Sequence, residues 1–189
     1  MGAKQSLQEF QAIPLVPTKL GGTATFVNAP QGLVNAVTGG TELGLRVSSG
    51  LLSSSAQLVS DNGREVLATI KKALVALRAT YHVYAGESKT ELLKLVVRKS
   101  YFGSTYTCDV SGSGGRYTLV CKGSWSERML ITCNENVVAK IRPPPTGTCT
   151  YLDVAPGVDA AVLLLVQHIA VECDRSSSSC LETALIAQV

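Results

Sequence analysis

No two cysteines in these 189 residues are spaced C-x-x-C, and histidine occurs only at His82 and His168, far apart in the chain. A zinc site needs such ligands gathered around one point, so no metal is expected. Glycine-rich segments precede strands rather than helices, which excludes a phosphate loop or a dinucleotide fingerprint. Gly123-Ser124-Trp125-Ser126-Glu127 is not a G-x-S-x-G nucleophile elbow, and no D-x-[DN]-x-[DN]-G calcium loop occurs. The chain therefore reads as non-enzymatic and without a cofactor. Aromatic residues are 5% of the total. No strand interleaves them with basic ones, so nucleic acid is not an expected partner. The N-terminus lacks the apolar core of a signal peptide, which points to a reducing compartment with free thiols. The cysteines at 108, 121, 133, 149, 173 and 180 then read as small buried apolar residues.

What is present is hydrophobic. Residues AVILMFWYC make up 46% of the chain, enough for one domain with a sizeable core. The most apolar stretch is Val158–Cys173, which follows the helix-start signal Pro156-Gly157 and carries Asp159 near the positive end of the helix dipole. Ala160 to Val166 contains no polar side chain. Seven residues at 3.6 per turn cover every direction around the axis, so this helix has no wet face before Gln167 and His168. It falls short of the roughly 20 residues that span a bilayer. It is expected to be a core helix over about 158–173, with His168 as a hydrogen-bonded core histidine.

From Thr23 the rhythm changes to short runs bounded by turn residues. Ten strands are expected: Thr23–Val27, Leu43–Val47, Gln57–Ser60, Glu65–Lys71, Leu77–Tyr84, Leu92–Lys99, Thr105–Val110, Arg116–Lys122, Met129–Cys133 and Val137–Arg142. Asp61-Asn62-Gly63, Ser111–Gly115 and Asn134-Glu135-Asn136 read as hairpin turns, which make neighbouring strands antiparallel. Alternation places Tyr117, Leu119 and Cys121 on one face and Arg116, Thr118, Val120 and Lys122 on the other. It likewise groups Tyr106, Cys108 and Val110, and sets Val137, Ala139 and Ile141 against Lys140 and Arg142. One dry and one wet face per strand, ending in an all-apolar helix, predicts a closed antiparallel barrel with the helix as its plug. Residues 1–22 form a lead-in, 23–175 the barrel, and 176–189 a polar linker and tail. The tail is either a last helical turn packed outside or a frayed end.

Charge is uneven. The overall net is +3, yet residues 71–142 hold twelve basic and five acidic side chains, a net of +7. Lys122, Lys140 and Arg142 fall on outward faces, Arg116 shares the face of Lys122, and Lys94, Arg98 and Lys99 lie on or beside another strand. Together they would form a cationic wall for anionic lipid head groups. Met1-Gly2-Ala3-Lys4-Gln5-Ser6 fits the N-myristoylation pattern, with Gly2 as acceptor and Ser6 as recognition residue. One myristoyl chain binds membranes only at about 10⁴ M⁻¹, so the basic wall would be the second attraction.

Four stretches carry a family likeness. Leu51-Leu52-Ser53 with Asp61-Asn62-Gly63 and Glu65–Lys71 looks like a hairpin around an Asn/Gly turn. Val97-Arg98-Lys99-Ser100 looks like a basic strand end. Lys122-Gly123-Ser124-Trp125-Ser126-Glu127-Arg128 is similar to a Lys-Gly-Ser-Trp-x-Glu-Arg segment, and Asp153–Asp174 fits a final strand, a turn and a buried helix. In these features the chain, from about Ser48 to Asp174, resembles the LURP-one-related family of the Tubby C-terminal-like superfamily, which includes the phospholipid scramblases. The resemblance implies twelve antiparallel strands around a hydrophobic C-terminal helix, and basic barrel-wall residues that bind phosphoinositide-like head groups. The scramblases' calcium segment and cysteine cluster have no counterpart here. Glu127 and Arg128 read as a surface or bend pair and Trp125 as a barrel-wall anchor.

The expected function is a non-enzymatic, N-myristoylated barrel, peripheral on a cytoplasmic membrane face. Its partner would be anionic membrane lipid or a membrane-bound protein. The alternative is a soluble interaction scaffold without lipid binding. An enzyme or carrier would instead need a cavity larger than about 300 Å³ between helix and barrel.

Overall fold

A computed structural model describes residues 24–29, 32–36, 39–49, 54–60, 63–73, 78–100, 104–112, 115–143 and 149–186, with side chains at the C-terminal end described as far as Asp174. Twelve strands form one closed sheet: β1 (Ala24–Ala29), β2 (Gly32–Asn35), β3 (Thr41–Ser49), β4 (Ser54–Ser60), β5 (Glu65–Lys72), β6 (Ala79–Ala85), β7 (Glu91–Lys99), β8 (Thr105–Gly112), β9 (Gly115–Gly123), β10 (Met129–Cys133), β11 (Asn136–Arg142) and β12 (Thr150–Val154). Each strand pairs antiparallel with the next, and β1 closes on β12 from Ala24↔Val154 to Asn28↔Thr150. Closure leaves no sheet edge exposed. Helix α1 (Ala160–Ile186) follows β12 directly.

All ten expected strands are present. The two that spacing did not reveal are β2, only four residues long, and β12, which follows the run Pro143-Pro144-Pro145 that reads as loop. The predicted alternation holds in β8 and β9: Tyr106, Cys108, Val110, Leu119 and Cys121 are buried, and Arg116 and Lys122 are exposed. In β11 it fails at one place. Ile131 faces Ala139 but Thr132 faces Val137, so Val138 is an extra residue in the ladder. This β-bulge turns both Val138 and Ala139 inward and leaves Val137 on the outside, 39% exposed.

The helix starts where its chemistry directs. Asp159 caps it, its Oδ1 accepting the Ala161 amide at 2.8 Å. Every side chain from Ala160 to Val166 is buried, Gln167 and His168 are half-buried, and Ile169 and Ala170 are buried again. Leu163, Leu165 and Ile169 share the fully buried core with Leu58, Ile70, Leu93, Leu95, Ile131 and Leu152 from around the barrel. Between helix and wall, beside Tyr117, Leu119, Val162 and Leu163, the free space is about 10 Å³, no more than a single water could fill. That gap is far below the size a bound ligand needs. The sequence predicted the helix to end near Cys173, but it continues to Ile186. The polar run from Asp174 to Ser179 contains no glycine or proline, so nothing interrupts the backbone ladder.

At the rim where the helix leaves the barrel, wall and helix are tied by polar groups. The Tyr81 hydroxyl donates to Glu172 Oε2 at 3.0 Å, and the Tyr106 hydroxyl donates to Asp174 Oδ2. Lys99 Nζ donates to Asp174 Oδ1 at 2.7 Å, and His168 Nε2 stands 3.7 Å from Glu172 Oε1. Burial, followed by the neighbouring Glu172 or Asp174 carboxylate, pushes both phenols well above their ordinary range, so each stays a donor at neutral pH. Cys108, Cys121 and Cys133 are buried free thiols, and burial pushes Cys121 up to about 12. Such thiols are inert.

Candidate anion-binding groove

The hairpin from β9 to β11 builds an open groove of about 620 Å³ on the outer wall. Across the three strands the register runs Lys122↔Leu130↔Lys140, and Lys140 faces Asp153 on β12. Neighbouring strands are about 4.8 Å apart, which sets the Lys122 and Lys140 backbones roughly 10 Å from each other, one on each side of Leu130. Arg142 and Arg128 complete the cationic lining, and Met129, Ile141 and Pro143 lie beneath and beside it.

The connection Ser124–Arg128 forms the lip. Gly123 has φ +121°, and a Cβ there would stand 2.2 Å from the Arg128 carbonyl oxygen, which accepts the Ser124 amide at 2.6 Å. Only glycine fits that corner. Trp125 is 8% exposed and packs against Tyr106, ring centres 6.0 Å apart, which is the anchoring role its sequence context predicted. The Lys-Gly-Ser-Trp-x-Glu-Arg segment thus supplies the groove with a cation at each end and a fixed bend between them. Replacing Gly123 by Ala should cost about 1–3 kcal/mol, the usual scale for a backbone forced into such a conformation. A urea melt within 0.5 kcal/mol of wild type, on the order of a surface change, would show that the lip relaxes freely.

Lys122, Arg128 and Lys140 form no ion pair among the described residues, although Lys140 faces Asp153 across the β11–β12 ladder. Arg142 does form one. Its Nε donates to Asp153 Oδ2 at 2.7 Å and its Nη2 to Oδ1 at 3.3 Å, while the guanidinium lies 4.7 Å over the Tyr151 ring. Thr25 Oγ1 donates to the same Asp153 Oδ1 at 2.8 Å. Burial is the largest single influence on Asp153 and opposes its ionisation. The hydrogen bonds from Arg142 and Thr25, with the charges of Arg142 and Lys140, together outweigh burial and hold this carboxyl below the usual carboxylate range. A depressed folded-state value means that its contribution to stability is present above the ordinary value of about 4 and is lost as pH falls through the folded one. Urea midpoints between about pH 5 and pH 2 should therefore fall more steeply for wild type than for Asp153→Asn. Parallel curves would remove Asp153 from the acid response.

The seven expected lipid-binding residues do not form one wall. Lys122, Lys140 and Arg142 meet in the groove. Lys94 and Arg116 lie in a separate row, Lys71↔His82↔Lys94↔Ser111↔Arg116, and Arg116 is six residues from Lys122 along β9, about 20 Å away. Arg98 is paired with Asp109, whose other oxygen accepts from Thr118 at 2.9 Å. Lys99 has the inward parity of Leu95 and Val97, and at the strand end it binds the helix instead of facing outward. Arg128, read from sequence as a surface or bend residue, belongs to the groove. The hairpin that returns Met129 opposite Gly123 was the available signal. Gly2 and Ser6 lie outside the described residues. No group of three or more His, Cys, Asp and Glu side chains able to hold a metal occurs among the described residues, and no helix there is long and apolar enough to cross a membrane.

A family model described as LURP-one-related matches residues 37–168, from just before β3 into the buried part of α1, and so includes every groove residue. No curated protein and no solved structure matches the chain.

Proposed function

The chain belongs to the LURP-one-related family, and on that premise we propose that it acts by binding rather than catalysis, docking through the β9–β11 groove onto anionic head groups at a cytoplasmic membrane face. One observation carries this reading. Three cations outside any ion pair among the described residues, Lys122, Arg128 and Lys140, converge on one open groove beside the pre-set Arg142. Arg98 and Lys99 already have their carboxylates. Three cations outside any ion pair, at about 1 kcal/mol each near an anionic leaflet, supply the second attraction that one acyl chain on Gly2 requires, while Arg142 is held by Asp153.

The test uses the full chain, with and without N-myristoylation. Both forms should pellet with vesicles containing phosphatidylserine or phosphoinositide, more tightly when acylated. Binding of the unacylated form should weaken as salt rises from 0.1 to 1 M and the screening length falls from about 10 to 3 Å. In cells, Gly2→Ala should shift the protein out of the membrane fraction. Vesicle binding no stronger than to neutral phosphatidylcholine would overturn the lipid reading in favour of a soluble scaffold. An unchanged membrane fraction would remove the acyl anchor.

A further inference from the structure

Exposed large hydrophobic side chains are few among the described residues: Val47 (54%), Leu130 (38%) and Val137 (39%). Val47 is on β3, but the other two occupy the same wall as the groove. Leu130 sits in register between Lys122 and Lys140, and Val137 faces Thr132, one diagonal step from Leu130. Diagonal neighbours on a sheet face are close enough for such side chains to form one patch. Val137 is there because of the bulge at Val138; in regular alternation it would point into the core. The wall therefore carries a small apolar patch, Leu130 with Val137, and Lys122 and Lys140 stand on either side of Leu130.

From this juxtaposition we infer that Leu130, backed by Val137, is a wedge that enters the head-group layer of an anionic bilayer while Lys122 and Lys140 hold the phosphates on either side. The inference rests on the lipid reading above and adds insertion to it. A free soluble anion would satisfy the cations and leave Leu130 in water. A bilayer surface satisfies both, because its charged layer lies directly over apolar acyl chains, and each buried methylene favours insertion.

Two variants separate insertion from surface binding. Leu130→Ser, which keeps every cation, should weaken binding to phosphatidylserine vesicles about fivefold, with the loss persisting at high salt. Leu130→Trp should shift its emission to the blue on those vesicles and be quenched by brominated acyl chains. Trp125, the chain's one tryptophan, is buried and serves as a constant background in the wild type. If Leu130→Trp pellets with the vesicles yet its emission stays unshifted, and Leu130→Ser binds like wild type, insertion is overturned while head-group binding stands. If wild type itself fails to bind, both readings fall together.

Discussion

Leu165→Ala should lower the stability of the barrel by about 2–5 kcal/mol, and Leu165→Asp should leave no folded protein. Leu165 is fully buried in the stretch of helix whose whole circumference faces the wall. Truncating it removes transfer energy and leaves a cavity that twelve hydrogen-bonded strands cannot collapse to fill. A loss of that size is a large fraction of the 5–15 kcal/mol typical of a whole domain. An aspartate there would be an unpaired charge in the core, which is costlier still. Gln167→Ala is the control, since Gln167 is half-buried and stands at the first break in the apolar surface. Urea unfolding followed by circular dichroism distinguishes them. Leu165→Ala melting with Gln167→Ala would mean that the helix is not the centre of the fold.

Reversing both Lys122 and Lys140 to Glu should reduce affinity for anionic vesicles by close to a thousandfold. Each reversal removes one attraction of about 1 kcal/mol and substitutes a repulsion of similar size. The sum of roughly 4 kcal/mol converts at 1.36 kcal/mol per decade to almost three decades. Both side chains are exposed and outside any described ion pair, but Lys140 faces Asp153 in register, so thermal melting is followed beside binding to separate any loss of stability at that pair from loss of affinity. Arg142 is the poorer target. Reversing its charge would set two carboxylates against each other at Asp153 and confuse lost binding with lost stability. An affinity within threefold of wild type, with unchanged thermal melting, would exclude the groove as the anion site.

The fold was legible because its two signals are local. Alternation along β8 and β9 needs only neighbouring residues, and so does the unbroken apolar run from Ala160 to Val166. Sequence is silent where a residue's direction depends on a partner strand. Val138 could not be recognised as the extra residue without the Ile131–Thr132 side of the ladder. Lys99 looked like one more basic residue beside Arg98. Its parity, and the Asp174 that awaits it 75 residues later, assign it to the helix. The carboxylates that neutralise Arg98 and Arg142 each lie 11 residues away on an adjacent strand, a separation at which sequence cannot distinguish a pair from two strangers.

By itself, the sequence determined a closed antiparallel sheet around an apolar helix, since each strand has one wet face and the helix had to be wrapped. Side-chain period and hydrophobicity suffice for that. Only the tertiary structure decided which cations face solvent together. Register between β9, β10 and β11 brings Lys122 and Lys140 to either side of Leu130, and the bend at Gly123 returns Arg128 to the same place. Charge near a sequence is one quantity. Charge converging on a groove is another, and it depends on which strands are neighbours.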